Sequence, residues 1–317
     1  MSRYSESEGL TTLQKGLIAG LAAVATSAAV NTLLAAKAEN DNPPIGKFVD
    51  VDGVRLHYVE LGAGEPVVFL HGNGSMIQDF ASSGMLELAA QSYRVFAFDR
   101  PGFGCSERPS DRSWTPAAQA KLFHLAFAQM GITRPVVVGH SWGTLVALRL
   151  AVDFPDDVSR LLLLSGYYFP TLRIDTWMSA PGAMPVIGTL IQYTISPIFA
   201  RLGSNSAIKN MFDPRPVSER FNASYSKEMA ARPSQLEAVA AETAMMPVAV
   251  QTIVDHYSNV TIPVRIFAGD QDNVVDTNAQ STRLQDYLAN SQLHVEKGVG
   301  HMIHHAIPDK IVAALAA

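Results

Sequence analysis

A chain of 317 residues that is 48% hydrophobic and only 17% charged can bury a large core and has room for an inserted subdomain. Its net charge of −5, with no Lys/Arg cluster, excludes the basic footprint of a nucleic-acid binder. Cys105 is the single cysteine, which excludes an internal disulfide and any C-x-x-C metal or redox site.

Met1 to Lys15 is polar, and Gly16 to Ala36 then runs without a charged residue. As a helix that stretch would be about 31 Å long, close to the hydrocarbon core of a bilayer. Ala36-Lys37-Ala38 has the small-x-small pattern of a signal-peptidase site. The apolar run, however, exceeds the roughly 7–15 residues of a cleaved signal. Residues 1–38 are therefore expected to be a polar tail and a one-helix membrane anchor. Cleavage near Ala38 would instead leave an exported, periplasmic or secreted chain. Asn40 to Pro44 reads as a linker.

Strand patterns begin after Ile45. Lys47–Val51 and Val54–Val59 flank Asp52-Gly53, a hairpin signal. Pro66 to Leu70 is a continuous apolar run, as a strand buried on both faces should be. Residues 76–91 read as helix, Tyr93 to Phe98 as strand and 115–131 as helix. Then come the strand Pro135–Gly139, an Ala/Leu-rich helix and the strand Val158–Leu164. Alternation of this kind predicts a mostly parallel sheet with helices on both faces.

From 167 to about 257 the alternation stops, in Pro-punctuated helical sequence holding six of the eleven methionines. A helical insertion between two strands makes a cap, and its methionines suit an adaptable apolar pocket or cap–core packing. Strand and helix resume at Ile262–Ala268, 278–289, 292–296 and 306–316. The expected organisation is 39–166 and 258–317 as core, with 167–257 as cap.

Between the strand at 135–139 and its helix lies Gly139-His140-Ser141-Trp142-Gly143, a G-x-S-x-G motif. A strand turning sharply into a helix lifts the corner residue clear of the sheet, and the two glycines let the elements close. Ser141 is the candidate nucleophile. A serine hydroxyl needs a base, and the base needs an orienting group. In open parallel sheets both are sought at the carboxyl ends of strands. The third strand ends in His71-Gly72-Asn73-Gly74, where the Asn73 and Trp142 amides would form an oxyanion hole. Asp270, Asp272 and Asp276 follow the strand that ends at Ala268, and each could orient an imidazole. His301 lies in a Gly-flanked loop after the last strand. His71 and His140 are expected to hold loops, and His304 and His305 to be surface or packing residues.

These pieces together resemble the α/β-hydrolase superfamily, in its esterase-like branch with a helical cap. The matching residues are His71 to Gly74, Asp99-Arg100-Pro101-Gly102-Phe103-Gly104-Cys105-Ser106, Gly139 to Gly143, Gly269-x-x-Asp272 and Gly300-His301. The resemblance implies an α/β fold with a mostly parallel eight-stranded sheet. It also implies the roles of nucleophile for Ser141, acid for Asp272 and base for His301, in the family's chain order. Gly74 departs from the family, where many relatives carry proline. No cofactor or metal is implied.

The expected reaction is acyl transfer to water on a small or medium, apolar, ester-like substrate. Phe103, Tyr167, Tyr168 and Trp177 are candidate substrate contacts. Relatives that cleave C–C bonds or act as cofactor-free haloperoxidases use the same serine chemistry, and a non-catalytic ligand-binding protein shares the fold. Dehalogenase and epoxide hydrolase relatives use an aspartate nucleophile, against which Ser141 argues.

Overall fold

The computed structural model describes residues 11–171, 174–184 and 186–316, with backbone alone for 174–178. A long helix α1 (Thr12–Asp41) leads into the hairpin β1 (Lys47–Val51) and β2 (Val54–Leu61). The hairpin turns at Asp52 and Gly53, with φ of 48° and 76°, as a two-residue turn matched to strand twist requires. Next come β3 (Pro66–Leu70), α2 (Ile77–Ser83), α3 (Met85–Ala89), β4 (Arg94–Phe98), α4 (Pro116–Met130), β5 (Val136–His140), α5 (Gly143–Asp153) and β6 (Arg160–Leu164). The inserted helices are α6 (Ile174–Ala183), α7 (Ile187–Thr194), α8 (Ser196–Phe212), α9 (Glu219–Ser224), α10 (Lys227–Ala230) and α11 (Pro233–Val254). The chain ends with β7 (Val264–Gly269), a π-turn running into α12 (Arg283–Tyr287), β8 (Ser291–Glu296), α13 (Ile303–Ala306) and α14 (Pro308–Ala313).

The eight strands form one sheet in the order β1-β2-β4-β3-β5-β6-β7-β8. β2 runs antiparallel to β1 and β4, and the other pairings are parallel. Side chains alternate faces along each strand, so the apolar runs feed two cores. Val68, Leu70, Phe96, Phe98 and Val137 pack with α4 and α5 on one face. Val67, Phe69, Val95, Ala97 and Val138 pack with α2, α3, α13 and α14 on the other.

Local chemistry sets the helix ends. The Thr115 hydroxyl caps α4, Pro116 opens it, and Gly131 ends it in left-handed geometry. Three expected helices are divided or shortened. Gly84, at φ 85°, breaks the helix expected at 76–91. Pro308 divides the last one, because its ring cannot continue α13. The helix expected at 278–289 ends at Tyr287 after its π-turn.

The expected linker is partly helix, since α1 runs to Asp41 with Asn42 as its C-cap before Pro43-Pro44. The insertion also blends into the core at its end. Met246, Ala249, Val250, Ile253 and Tyr257 belong to the sheet core, so only the first half of α11 covers the site.

Candidate active site

Ser141 sits between β5 and α5 at φ 50°, a left-handed conformation that a side chain disfavours. Its amide donates to the Leu164 carbonyl at 2.9 Å. Its carbonyl accepts from the Thr144 amide at 3.0 Å and the Thr144 hydroxyl at 2.6 Å. Neighbouring elements leave no alternative path: a Cβ on Gly139 would lie 2.6 Å from the Gly143 oxygen, and one on Gly143 only 2.1 Å from the Leu70 oxygen. The strain is thus held in place by close packing of backbone against backbone.

The loop after β3 lies against this corner, where a Cβ on Gly72 would stand 3.0 Å from Cβ of Ser141. Gly74 adopts φ 72°, which a proline ring forbids, and that accounts for glycine where relatives carry proline. The Asn73 side chain turns away to α11, donating to the Val239 carbonyl and, at 2.9 Å, to the Thr243 hydroxyl. Among the described residues, neither the Asn73 nor the Trp142 amide donates a hydrogen bond.

His71 holds the same loop. Its Nε2 accepts from the Arg100 amide at 3.0 Å, so the neutral ring carries its proton on Nδ1 and donates to the Gly72 carbonyl at 2.8 Å. Burial is the main cause that pushes its pKa down to about 3. The fully buried Arg100 side chain adds donors from Nε to the His71 carbonyl at 2.7 Å and from its terminal nitrogen to the Gly72 carbonyl at 3.0 Å. Its charge is met by Glu242 of α11, itself fully buried and bonded to Gln119.

At the far end of β7, Asp272 Oδ1 accepts from the Val274 and Val275 amides at 2.8 and 2.9 Å. Its Oδ2 lies 2.8 Å from Nδ1 of His301, which is buried. Nδ1 therefore carries the proton and Nε2 is left basic. The other two acids have local duties: Asp270 accepts from the Gly298 amide, and Asp276 caps the following turn through the Ala279 amide. Nε2 of His140 donates to the His301 carbonyl at 3.2 Å, tying the backbone of His301 to the residue before Ser141. No direct hydrogen bond joins Ser141 to His301 among the described residues. In resting enzymes such bonds are often long and tighten only with substrate.

The expected substrate contacts fare differently. Phe103 is fully buried, its ring 5.3 Å from His71 and 4.7 Å from the Arg100 guanidinium. Tyr168 is fully buried, with its amide held by Gln280, and the Tyr167 hydroxyl accepts from the Thr171 amide at 2.7 Å. The Phe103 and Tyr168 side chains are thus buried against their neighbours, and the Tyr167 hydroxyl is engaged with Thr171. Trp177 lies outside the described side chains. A cavity of about 1250 Å³ opens on the other side of α11, lined by Gly102, Arg108, Trp114, Met184, Arg232 and Met245. It does not reach Ser141, because α11 turns Ser234, Glu237, Ala241 and Met245 to the cavity and Val239, Glu242 and Thr243 to the site.

Of the two roles expected for His304 and His305, surface or packing, both take the second: their side chains are buried against the carboxylate of Asp79, a residue the sequence does not single out.

Residues 67–314 match the sequence profile of the alpha/beta hydrolase family. A 2-hydroxymuconate semialdehyde hydrolase of Pseudomonas sp. (strain CF600) is 30% identical over 291 residues, covering 85% of this chain and 92% of that protein. A thermophilic esterase from Thermogutta terrifontis superposes with a TM-score of 0.68 at 19% identity, over 86% of this chain and 97% of that one. A membrane phospholipase A, described as a bacterial virulence factor, gives a TM-score of 0.65 at 18% identity over 97% of both chains. At these identities the two structures attest the fold alone.

Proposed function

Because the chain belongs to the alpha/beta hydrolase family, we propose that it is a serine hydrolase cleaving carboxylic esters through an acyl-enzyme on Ser141. The observation that carries this reading is the Asp272–His301 hydrogen bond, which selects the tautomer with a basic Nε2. In the proposed reaction His301 takes the Ser141 proton as Oγ adds to the ester carbonyl. The Asn73 and Trp142 amides stabilise the oxyanion. The intermediate collapses, and His301 returns the proton to the departing alkoxide. Water, deprotonated by His301, then releases the acid and restores the serine.

Haloalkane dehalogenases also match part of this chain, but an aspartate nucleophile has no counterpart at Ser141. C–C bond hydrolysis is the second reading, favoured by the semialdehyde hydrolase relative. Against it, Arg100, the buried cation after β4 that holds the His71 and Gly72 carbonyls, is already neutralised by Glu242, so its charge is not free for an anionic substrate.

Nitrophenyl esters of increasing acyl length test the proposal, with Ser141→Ala beside the parent. Hydrolysis by the parent and a loss of several orders of magnitude in the variant are expected. A folded protein that cleaves no ester but cleaves a dienoate ring-fission product would overturn the ester reading in favour of the second one.

The same proposal extends to location. α1 is long and apolar enough to cross a membrane. Its first half is exposed, whereas from Ser27 onward it is fastened to the cap. Ser27 donates to the Thr194 carbonyl at 2.9 Å, Asn31 to the Tyr193 carbonyl at 3.0 Å, and Arg232 to Glu39 at 2.7 Å. Ala38 is buried in a helix continuous to Asp41, which favours a retained anchor over cleavage there. The uncharged stretch Gly16–Ala36 overlaps the part that touches the cap, so a bilayer holding that stretch also meets α7 and α8. Those helices expose Ile187, Leu190, Ile195, Ile198, Phe199 and Leu202. An ester with a long apolar acyl chain, supplied from the membrane, suits such a cap.

A further inference from the structure

We propose that Asp79, His304 and His305, with His140 beside them, form a buried site for one divalent transition-metal ion, zinc foremost, behind the loops that carry Ser141 and His301. Three elements converge there: the first turn of α2, the end of β5, and α13, which begins just after His301. Oδ1 of Asp79 lies 3.0 Å from Nε2 of His304 and 2.9 Å from Nε2 of His305. The ligand atoms of these three residues lie within 4.8 Å of one another.

Charge balance is the first argument. Asp79 is 1% exposed, and its other oxygen accepts from the Ser75 hydroxyl at 3.0 Å. Among the described residues its ionic partners are imidazoles, with no Arg or Lys. A carboxylate so far from water needs a countercharge. Here that is either an imidazolium or a metal ion.

The second argument concerns His140, which is 3% exposed. Its Nε2 must carry a proton to donate to the His301 carbonyl. In the neutral ring Nδ1 is then a bare lone pair; it is buried without a hydrogen-bond partner and lies 3.9 Å from Oδ2 of Asp79. A lone pair facing a carboxylate in a dry site is relieved by a cation between them. Tetrahedral donors bonded at about 2.0–2.1 Å stand about 3.3–3.4 Å apart. The Oδ1–Nε2 separations of 2.9 and 3.0 Å fall a little short of that value, so the three ligands need only part slightly to admit the ion.

Donor type then names the ion. Imidazoles with one carboxylate suit zinc, iron(II), cobalt(II) or nickel(II), not the oxygen-seeking calcium or magnesium. By contrast, the carboxylate of the grouping His57–Asp99–Cys105 is held by backbone. Both Asp99 oxygens accept amide protons, from Ile77 and Cys105, and one also meets His57 at 2.7 Å.

The test uses the untagged full chain, stripped with a chelator and titrated with zinc chloride or cobalt(II) chloride. One equivalent should bind, the cobalt(II) form should show the intense visible band of four-coordinate geometry, and Tm should rise by roughly 5 °C. Asp79→Asn and His305→Gln should each weaken zinc binding by about 100-fold or more. If Asp79→Asn does not fold, His305→Gln, whose ring lies at the edge of the cluster, still decides. Substoichiometric uptake, a six-coordinate cobalt spectrum, or unchanged affinity in His305→Gln would overturn the proposal and leave an imidazolium as the countercharge. None of these readouts depends on ester hydrolysis.

Discussion

A Cβ placed on Gly143 would stand 2.1 Å from the Leu70 oxygen and 2.7 Å from the His71 oxygen, both backbone atoms of a central strand and its loop. Neither can yield without parting strand from helix, so Gly143→Ala should cost about 3 kcal/mol or more and fail as a folding variant. At Gly72 the nearest contacts are Cβ of Ser141 at 3.0 Å and Nδ1 of His140 at 3.2 Å. A shift of a few tenths of an ångström accommodates that methyl, but it moves the oxyanion loop off the serine. Gly72→Ala should therefore keep Tm within a few degrees while kcat on a nitrophenyl ester falls by roughly 10- to 100-fold. Thermal melts and steady-state kinetics on both variants separate the two cases. His71 carries a second prediction. Its folded pKa, near 3, lies below the ordinary 6.5, so the unfolded chain takes up a proton between those values and the folded chain does not. The stability it contributes is complete above pH 6.5 and falls as pH drops, by about 3 kcal/mol at about pH 4.5. Urea midpoints taken near pH 7 and near pH 4.5 should show the drop, and His71→Gln should flatten its share.

Arg100 and Glu242 join an element of the cap to the loop that serves the chemistry. Breaking a buried pair by removing one partner costs about 3–5 kcal/mol, because the other charge is stranded. Glu242→Gln should thus lower stability by that order, and Arg100→Lys should fare little better, since an ammonium cannot reproduce the fork that spans the His71 and Gly72 carbonyls. An apolar double variant, Arg100→Met with Glu242→Leu, should recover most of the stability in urea unfolding. It should remain at least about tenfold down in kcat, because the loop carbonyls have lost their donors. Full recovery of kcat would mean that the pair only packs the cap. This link also marks where sequence reading ends. The corner at Ser141 is legible because its causes are local: a β-branched run, two glycines and a helical run within one short stretch. The two-sided burial of the strands is legible for the same reason. Glu242 reads as an ordinary helix carboxylate, and its partner Arg100 is 142 residues away. Nothing near Asp79 in the sequence marks it, because its partner is a histidine 225 residues later. Phe103 and Tyr168, conversely, look like pocket aromatics until the packing of His71 and Gln280 against them is seen.

For the whole molecule, the position of α1 matters more than its hydropathy. Sequence alone reads Gly16–Ala36 as an anchor or signal segment; in the fold Asn31 is buried against the Thr194 carbonyl and also accepts from Arg201, so the second half of that stretch is shared with the inserted helices. On the proposed anchor reading, this arrangement would not hold the rest of the chain clear of the lipid on a tether. The corner between α7 and α8, with Ile198 47%, Phe199 69% and Leu202 78% exposed, would then enter the interface with it. Full burial of a Leu or Phe side chain contributes about 1.5–3 kcal/mol, so three such residues rival a lipid anchor in strength. Two experiments follow from this arrangement. A chain lacking residues 1–26 keeps the docked half of α1 and should still sediment with phospholipid vesicles. Changing Ile198, Phe199 and Leu202 to serine in that chain should reduce vesicle binding by at least about tenfold. The same triple change should slow hydrolysis of a long-chain ester held in vesicles by a similar factor and leave a short soluble ester untouched, since none of the three residues contacts the Ser141 corner. Equal vesicle binding with and without the three serines would place the lipid contact on α1 alone, with the cap in water.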